Sequence, residues 1–264
     1  MMVTIFKHEM KSSIKNLLIW SICIGGMGLA CILLFSSMQE SMAGMAENFA
    51  SMGAFADAFG MSQLSIATLM GFYATEVGTI HTLGGAMFAA ILGTSMLSKE
   101  EDGHTSEFLF SLPIQRGKVV AVKGCALITN IVLLNLFCVG IYLLGIEILG
   151  EDISLKEFFI YHIMQIVMQL EIAAVCYTIS AFMKKNKIGL GLGLVLLLYA
   201  YDLIARVIPD LSDYKTVTPF SYANAADIFS TGKIDMTAGS IGAVVIVLSI
   251  LAAFWVYTKR DLEA

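Results

Sequence analysis

Charge is scarce in this sequence: Asp, Glu, Lys and Arg make up 14% of its 264 residues, against about 25% in a typical soluble domain. Apolar residues fill the gap at 58%, and mean hydropathy is +0.81. Several soluble domains are thereby excluded, and one membrane domain over residues 1–264 is expected. The net charge of -5 says little about partners, because the side on which charges lie matters more than their sum. Nothing resembles a basic nucleic-acid patch. Cysteine pairing is missing as well. Cys23, Cys31, Cys125, Cys138 and Cys176 sit in apolar runs without C-x-x-C spacing, and read as small buried hydrophobes, not a disulfide frame or zinc site.

Enzyme signatures are also absent. His8-Glu9 starts an H-E-x-x-H pattern, but Ser12 ends it, so no zinc pair forms. Gly-Lys occurs at 117–118 and 232–233, preceded five positions earlier by Leu112 and Asp227. The phosphate-cradling G-x-x-x-x-G-K-[ST] loop therefore does not exist, and the chain is expected to hold no cofactor and bind no ATP in that way. Gly189, Gly191 and Gly193 make no nucleotide fingerprint, since no strand precedes them. The 189/193 pair instead has the small-xxx-small spacing that lets membrane helices approach closely.

What is present is a series of apolar runs. Residues 1–16 predict an amphipathic interfacial helix, with Val3, Phe6, Met10, Ile14 and Leu17 on one arc and Lys7, Lys11 and Lys15 beside it, towards anionic lipid. Leu17 to about Phe35 is the first expected span. Residues 38–70 are polar enough to lie outside, as one or two interfacial helices on which Phe49, Met52, Ala56 and Phe59 recur at helical spacing. Further spans are expected over 72–97, 119–149, 158–183, 188–208 and 236–257, with a longer outer segment over 209–235. Twelve of the sixteen Lys and Arg residues, at 7, 11, 15, 99, 116, 118, 123, 184, 185, 187, 259 and 260, fall on one side. That side is the inner one by the positive-inside rule. The fold class is thus an all-α integral membrane protein of six transmembrane helices with both termini cytoplasmic. No internal repeat is visible, which weighs against common secondary-transporter folds.

Ionisable groups within the spans are costly and face the protein interior or a cavity. Here they are Glu76 and His81 in the second helix, His162 and Glu171 in the fourth, and Asp202 with Arg206 in the fifth. Asp202 and Arg206, four apart, can pair on one helix face. Glu171 lies roughly 20 Å into its helix, where it accepts interhelical hydrogen bonds or lines a substrate path. Glu76 and His81 have the same two readings.

The most ordered polar stretch is Lys99 to Lys123, KEEDGHTSEFLFSLPIQRGKVVAVK. Glu100, Glu101 and Asp102 lead to Gly103, where the chain can turn without steric cost. Thr105 or Ser106 can cap a short helix with Glu107 in its first turn. Phe108, Leu109 and Leu112 give it an apolar side, and Pro113 ends it. Such a helix reads as a plug for another protein's groove. The order Glu100, Glu101, Gly103, Thr105, Glu107, Leu109, Ser111, Pro113, Arg116, then Lys118 and Lys123, resembles the first coupling-helix region of type-2 ABC exporter permeases (the type V fold). His104 departs from it, where the family often runs Gly straight into Thr. The run 55–60, FADAFG, with Gly71-Phe72-Tyr73, looks like the same family more faintly.

The resemblance implies a permease subunit in a bacterial plasma membrane, with two copies of a separate ATPase holding ATP and magnesium, and a second permease, identical or related. The coupling-helix region would be 98–118, between helices two and three. Glu100, Glu101 and Glu107 would contact the ATPase, Phe108 and Leu109 would fill its groove, and Arg116 would anchor the helix to its own stem. Lys184, Lys185 and Lys187 would mark a second, shorter coupling contact. Helices two and five would line the shared path, near which Glu76, His81 and Asp202 fall. The cargo would be a drug, an antimicrobial peptide or a lipid. The alternative is an ion-coupled secondary transporter or channel using Glu76, Glu171 and Asp202.

Overall fold

The computed structural model describes residues 1–106 and 114–260. Among the described residues, six helices are long and apolar enough to cross a membrane. In chain order the α-helices are α1 (Met2–Ala50), α2 (Ala54–Phe59), α3 (Leu69–Met96), α4 (Lys99–Asp102), α5 (Arg116–Leu149), α6 (Leu155–Phe182), α7 (Ile188–Val207), α8 (Ala225–Thr231) and α9 (Met236–Lys259). A 3-10 helix, Pro209–Val217, follows α7. The expected spans two to six agree with α3, α5, α6, α7 and α9 to within about one turn of helix.

The first helix departs from expectation. Residues 1–16, the first span and the start of the outer segment are parts of one 49-residue helix, about 73 Å long, so it exceeds a hydrocarbon core of about 30 Å. Nothing in SSMQESMAGMAENFA after Phe35 stops it, because Met, Gln, Glu and Ala are good helix formers. It ends at Ala50, and Gly53, with φ +58, starts the next helix. One stripe on α1, from Ile5, Glu9, Ser13 and Leu17 to Ile32 and Phe35, is buried. Val3 and Ile14 of the expected apolar arc are exposed, as are Lys7, Lys11 and Lys15.

α1 lies along α5, and α3 is the central helix, packed on α6 and α7, while α9 covers α6. Close approach is permitted by glycine. A Cβ at Gly28 would sit 2.3 Å from the Tyr142 ring, and one at Gly93 would sit 2.8 Å from the Ala173 carbonyl oxygen. On α7 the packing glycine is Gly191, facing Ala90 and Thr94, whereas Gly189 and Gly193 face open space. The small-xxx-small reading of the 189/193 pair therefore does not describe packing within this chain.

α3 is interrupted by a π-helical turn, Tyr73–Val77. The outer segment 209–235 is only partly outside. Thr218, Phe220, Ser221, Tyr222 and Ala223 are buried, and the Ala223 carbonyl accepts a 2.7 Å hydrogen bond from Gln165 of α6.

Candidate functional site

Glu100, Glu101, Arg116 and Lys123 of the coupling pattern meet at one end of the bundle. α4 places Lys99, Glu100 and Glu101 one turn beyond α3, where the Leu97 and Ser98 amides donate to the Ser180 hydroxyl of α6 at 2.8 and 3.0 Å. The chain then turns, but not at Gly103, whose φ is an ordinary −89. His104 carries the left-handed φ of +53. The residue that departs from the family pattern therefore takes the conformation a glycine would adopt without strain.

Around α4 the charges alternate. Lys123 of α5 reaches Glu9 of α1 and Glu100 of α4, each at 2.7 Å. Glu9 also pairs with Lys99. Glu101 pairs with Arg260 at the end of α9, and Arg116 at the start of α5 donates to the Arg260 carbonyl at 2.6 Å. Lys123 is 0% exposed and Glu9 2%. An isolated ion at such sites would cost several kcal/mol, so each charge is tolerated because its neighbours neutralise it. Burial acts to raise the pKa of Glu100, but Lys123, Thr105 and Lys99 outweigh it and hold this carboxyl below the usual glutamate range. Thr105 completes the turn, its hydroxyl donating to the Glu100 carboxylate at 2.6 Å and its amide to the Glu100 carbonyl at 2.8 Å.

Glu100 and Glu101 are therefore turned inward onto Lys123 and Arg260, and Arg116 holds the end of α9. Gly103 and Thr105 lie on the exposed turn beside them. The expectations for Glu107, Phe108, Leu109 and Pro113 concern positions outside the described residues. What this node does is mechanical. It fastens α1, α4, α5 and α9 to one another at this end of the bundle.

The intramembrane residues divide into four situations. His81 and His162 are buried side by side, ring centroids 5.0 Å apart. His81 bonds Asn135 at 3.0 Å and Tyr142 at 3.3 Å, and His162 bonds Tyr73 at 2.9 Å. Asn135 donates onward to Gln169 at 2.6 Å. Glu171 accepts from Tyr222 at 2.6 Å, in space left by Gly242, where a Cβ would come within 2.4 Å of the carboxylate. Burial and that carboxylate push the Tyr222 phenol far above its ordinary range, so it remains the donor. Asp202 and Arg206 form the expected pair at 2.8 Å, and Arg206 also reaches Asp227 at 3.1 Å. Glu76 alone is exposed.

Sequence reasoning missed the amides Asn135, Gln165 and Gln169, as well as Tyr222 and Asp227. A survey of uncharged polar residues in the apolar runs would have found the amides, and Gln165 and Gln169 share the i,i+4 spacing of one helix face. Among the described residues, no three His, Cys, Asp or Glu side chains gather at metal-binding distance.

Six apolar helices around a polar interior make this a multi-pass membrane protein. A family model for the ABC-2 family transporter protein matches residues 3–262, and the chain belongs to that family. It is a membrane permease component of an ABC transporter rather than its ATPase. No curated protein matches the chain.

Proposed function

We propose that this chain is the permease subunit of an ATP-driven exporter and is driven through residues 98–118 by a separate ATPase. Two ATPase copies would bind ATP and magnesium, and two permeases, identical or related, would enclose the path for a drug, an antimicrobial peptide or a lipid. The observation that carries this reading is the inner ionic node. A push on the segment after α4 reaches α1, α5 and α9 through Glu9, Glu100, Glu101, Lys123 and Arg260, rather than bending one loop. Phe108 and Leu109 would enter the ATPase groove, with Glu107 beside them. The inward pairing of Glu100 and Glu101 assigns them to transmission within the permease more than to contact with the partner.

The internal partners of Glu171 and Asp202 count against the ion-coupled alternative, since they leave only Glu76 of its three acids open to a coupling ion. The test is co-purification. The chain is expressed with its neighbouring genes, extracted in mild detergent, and probed for an ATPase subunit. The expected result is an ATPase that accompanies wild type and is lost with Leu109→Asp. A well-folded wild type that brings down no ATPase would refute the reading.

A further inference from the structure

Glu76 occupies an unusual position. It stands on the π-turn Tyr73–Val77, whose other four residues are buried. Among the described residues no hydrogen bond or ion pair engages it. π-turns inside α-helices are rare and often mark functional sites, and an exposed carboxylate on a membrane helix is costly. Directly inward of it, one turn along α3, begins an apolar groove of about 320 Å³ between α1 and α3. Trp20, Ile24 and Met27 form one wall, and Ile80, Leu83 and Met87 the other. The groove runs for about eight residues of helix, roughly 12 Å. It narrows beside Gly84, where a Cβ would meet Ile24 at 2.8 Å.

We infer that the α1–α3 groove with Glu76 at its outer end binds a cationic amphiphile, the alkyl chain lying between the helices and the positive head against the Glu76 carboxylate. This names a ligand class for the permease and rests on the exporter reading only in treating that ligand as cargo. Charge complementarity carries the choice: a neutral or anionic amphiphile would leave the carboxylate unpaired, or repel it, at the edge of a low-dielectric region. The acid also explains the π-turn, since the wider turn directs this one side chain outward while Tyr73, Ala74, Thr75 and Val77 keep their packing.

Trp20 in the groove wall supplies the test, because the chain has only two tryptophans. The full chain, in a Trp255→Phe background and with whatever subunits co-purify, is placed in nanodiscs of neutral phosphatidylcholine. It is then titrated with dodecyltrimethylammonium or dodecyl sulfate, each brominated on its chain. The cationic probe should quench Trp20 at the lower concentration. Glu76→Gln should raise its half-quenching concentration about fivefold without altering that of the sulfate, and Glu76→Lys should reverse the preference. Equal quenching by both probes, unmoved by Glu76→Gln, would overturn the proposal. So would quenching by neither, which would mean that a second copy of the chain fills the groove. The readout needs no ATPase, so failure of the exporter reading and failure of this site are separate results.

Discussion

At the inner end of the bundle, Glu9, Lys99, Glu100 and Lys123 are held as alternating full charges. Deeper in, His81, Asn135, His162 and Gln169 join α3, α5 and α6 with imidazoles and amides. The two regions solve one problem, joining apolar helices specifically, under different solvent conditions. At the rim of the node Lys99 and Glu100 are partly exposed, so their charges can be separated from their partners at lower cost than those of the buried Glu9 and Lys123. In the hydrocarbon region the same separation would be prohibitive, and neutral hydrogen-bonding groups supply the register instead. The inner node is thus suited to pass on movement, and the inner amide network to resist it.

Removing one charge from the node should have the largest effect. Lys123→Met leaves Glu9 and Glu100 without the buried cation they share, only Lys99 remaining beside Glu9, and should cost about 3–5 kcal/mol, seen as a loss of resistance to unfolding in a denaturing-detergent titration. Adding Glu9→Gln should recover much of that loss, and if it does not, the ionic account of the node is wrong. Asn135→Leu should cost less, about 1–2 kcal/mol, by the same titration. A cost equal to that of Lys123→Met would erase the distinction between the two regions. Acid should weaken the node. Because Glu100 is held below its ordinary range, its contribution is full above the unfolded value of about 4.3 and fades as pH falls through the lower folded value. Between the unfolded and the lower folded value, thermal stability should fall more steeply with falling pH in wild type than in Glu100→Gln. The smallest effect belongs to the turn. His104→Gly relieves the left-handed φ and should stabilise by about 1 kcal/mol or less, a rise in melting temperature with no change at the node.

Much of the architecture was legible because apolar length and basic flanks are properties of the chain itself. Five of the six spans could be placed to within about a turn. The unbroken α1 was harder to read. Its outer third is polar enough to leave the membrane, and nothing in composition separates a helix that continues from one that restarts. The pair Asp202–Arg206 was readable because i,i+4 partners are local. The node was not, since Glu9 and Lys123 are 114 residues apart, and a lysine after a coupling motif looks like an ordinary basic flank. Gly103 invited the turn, but the Glu100 carbonyl takes the Thr105 amide, and that closure moves the positive φ to His104.

The central claim, that the inner ends of α1 and α5 move as one body, can be tested by distance. Spin labels at Lys7→Cys and Lys118→Cys, both exposed positions, would be measured by pulsed electron resonance in the ATPase-bound complex. The native cysteines would first be replaced. The account predicts a single narrow distance distribution that nucleotide leaves in place and that Lys123→Met broadens. A wild-type distance that shifts with nucleotide, or one indifferent to Lys123→Met, would contradict it.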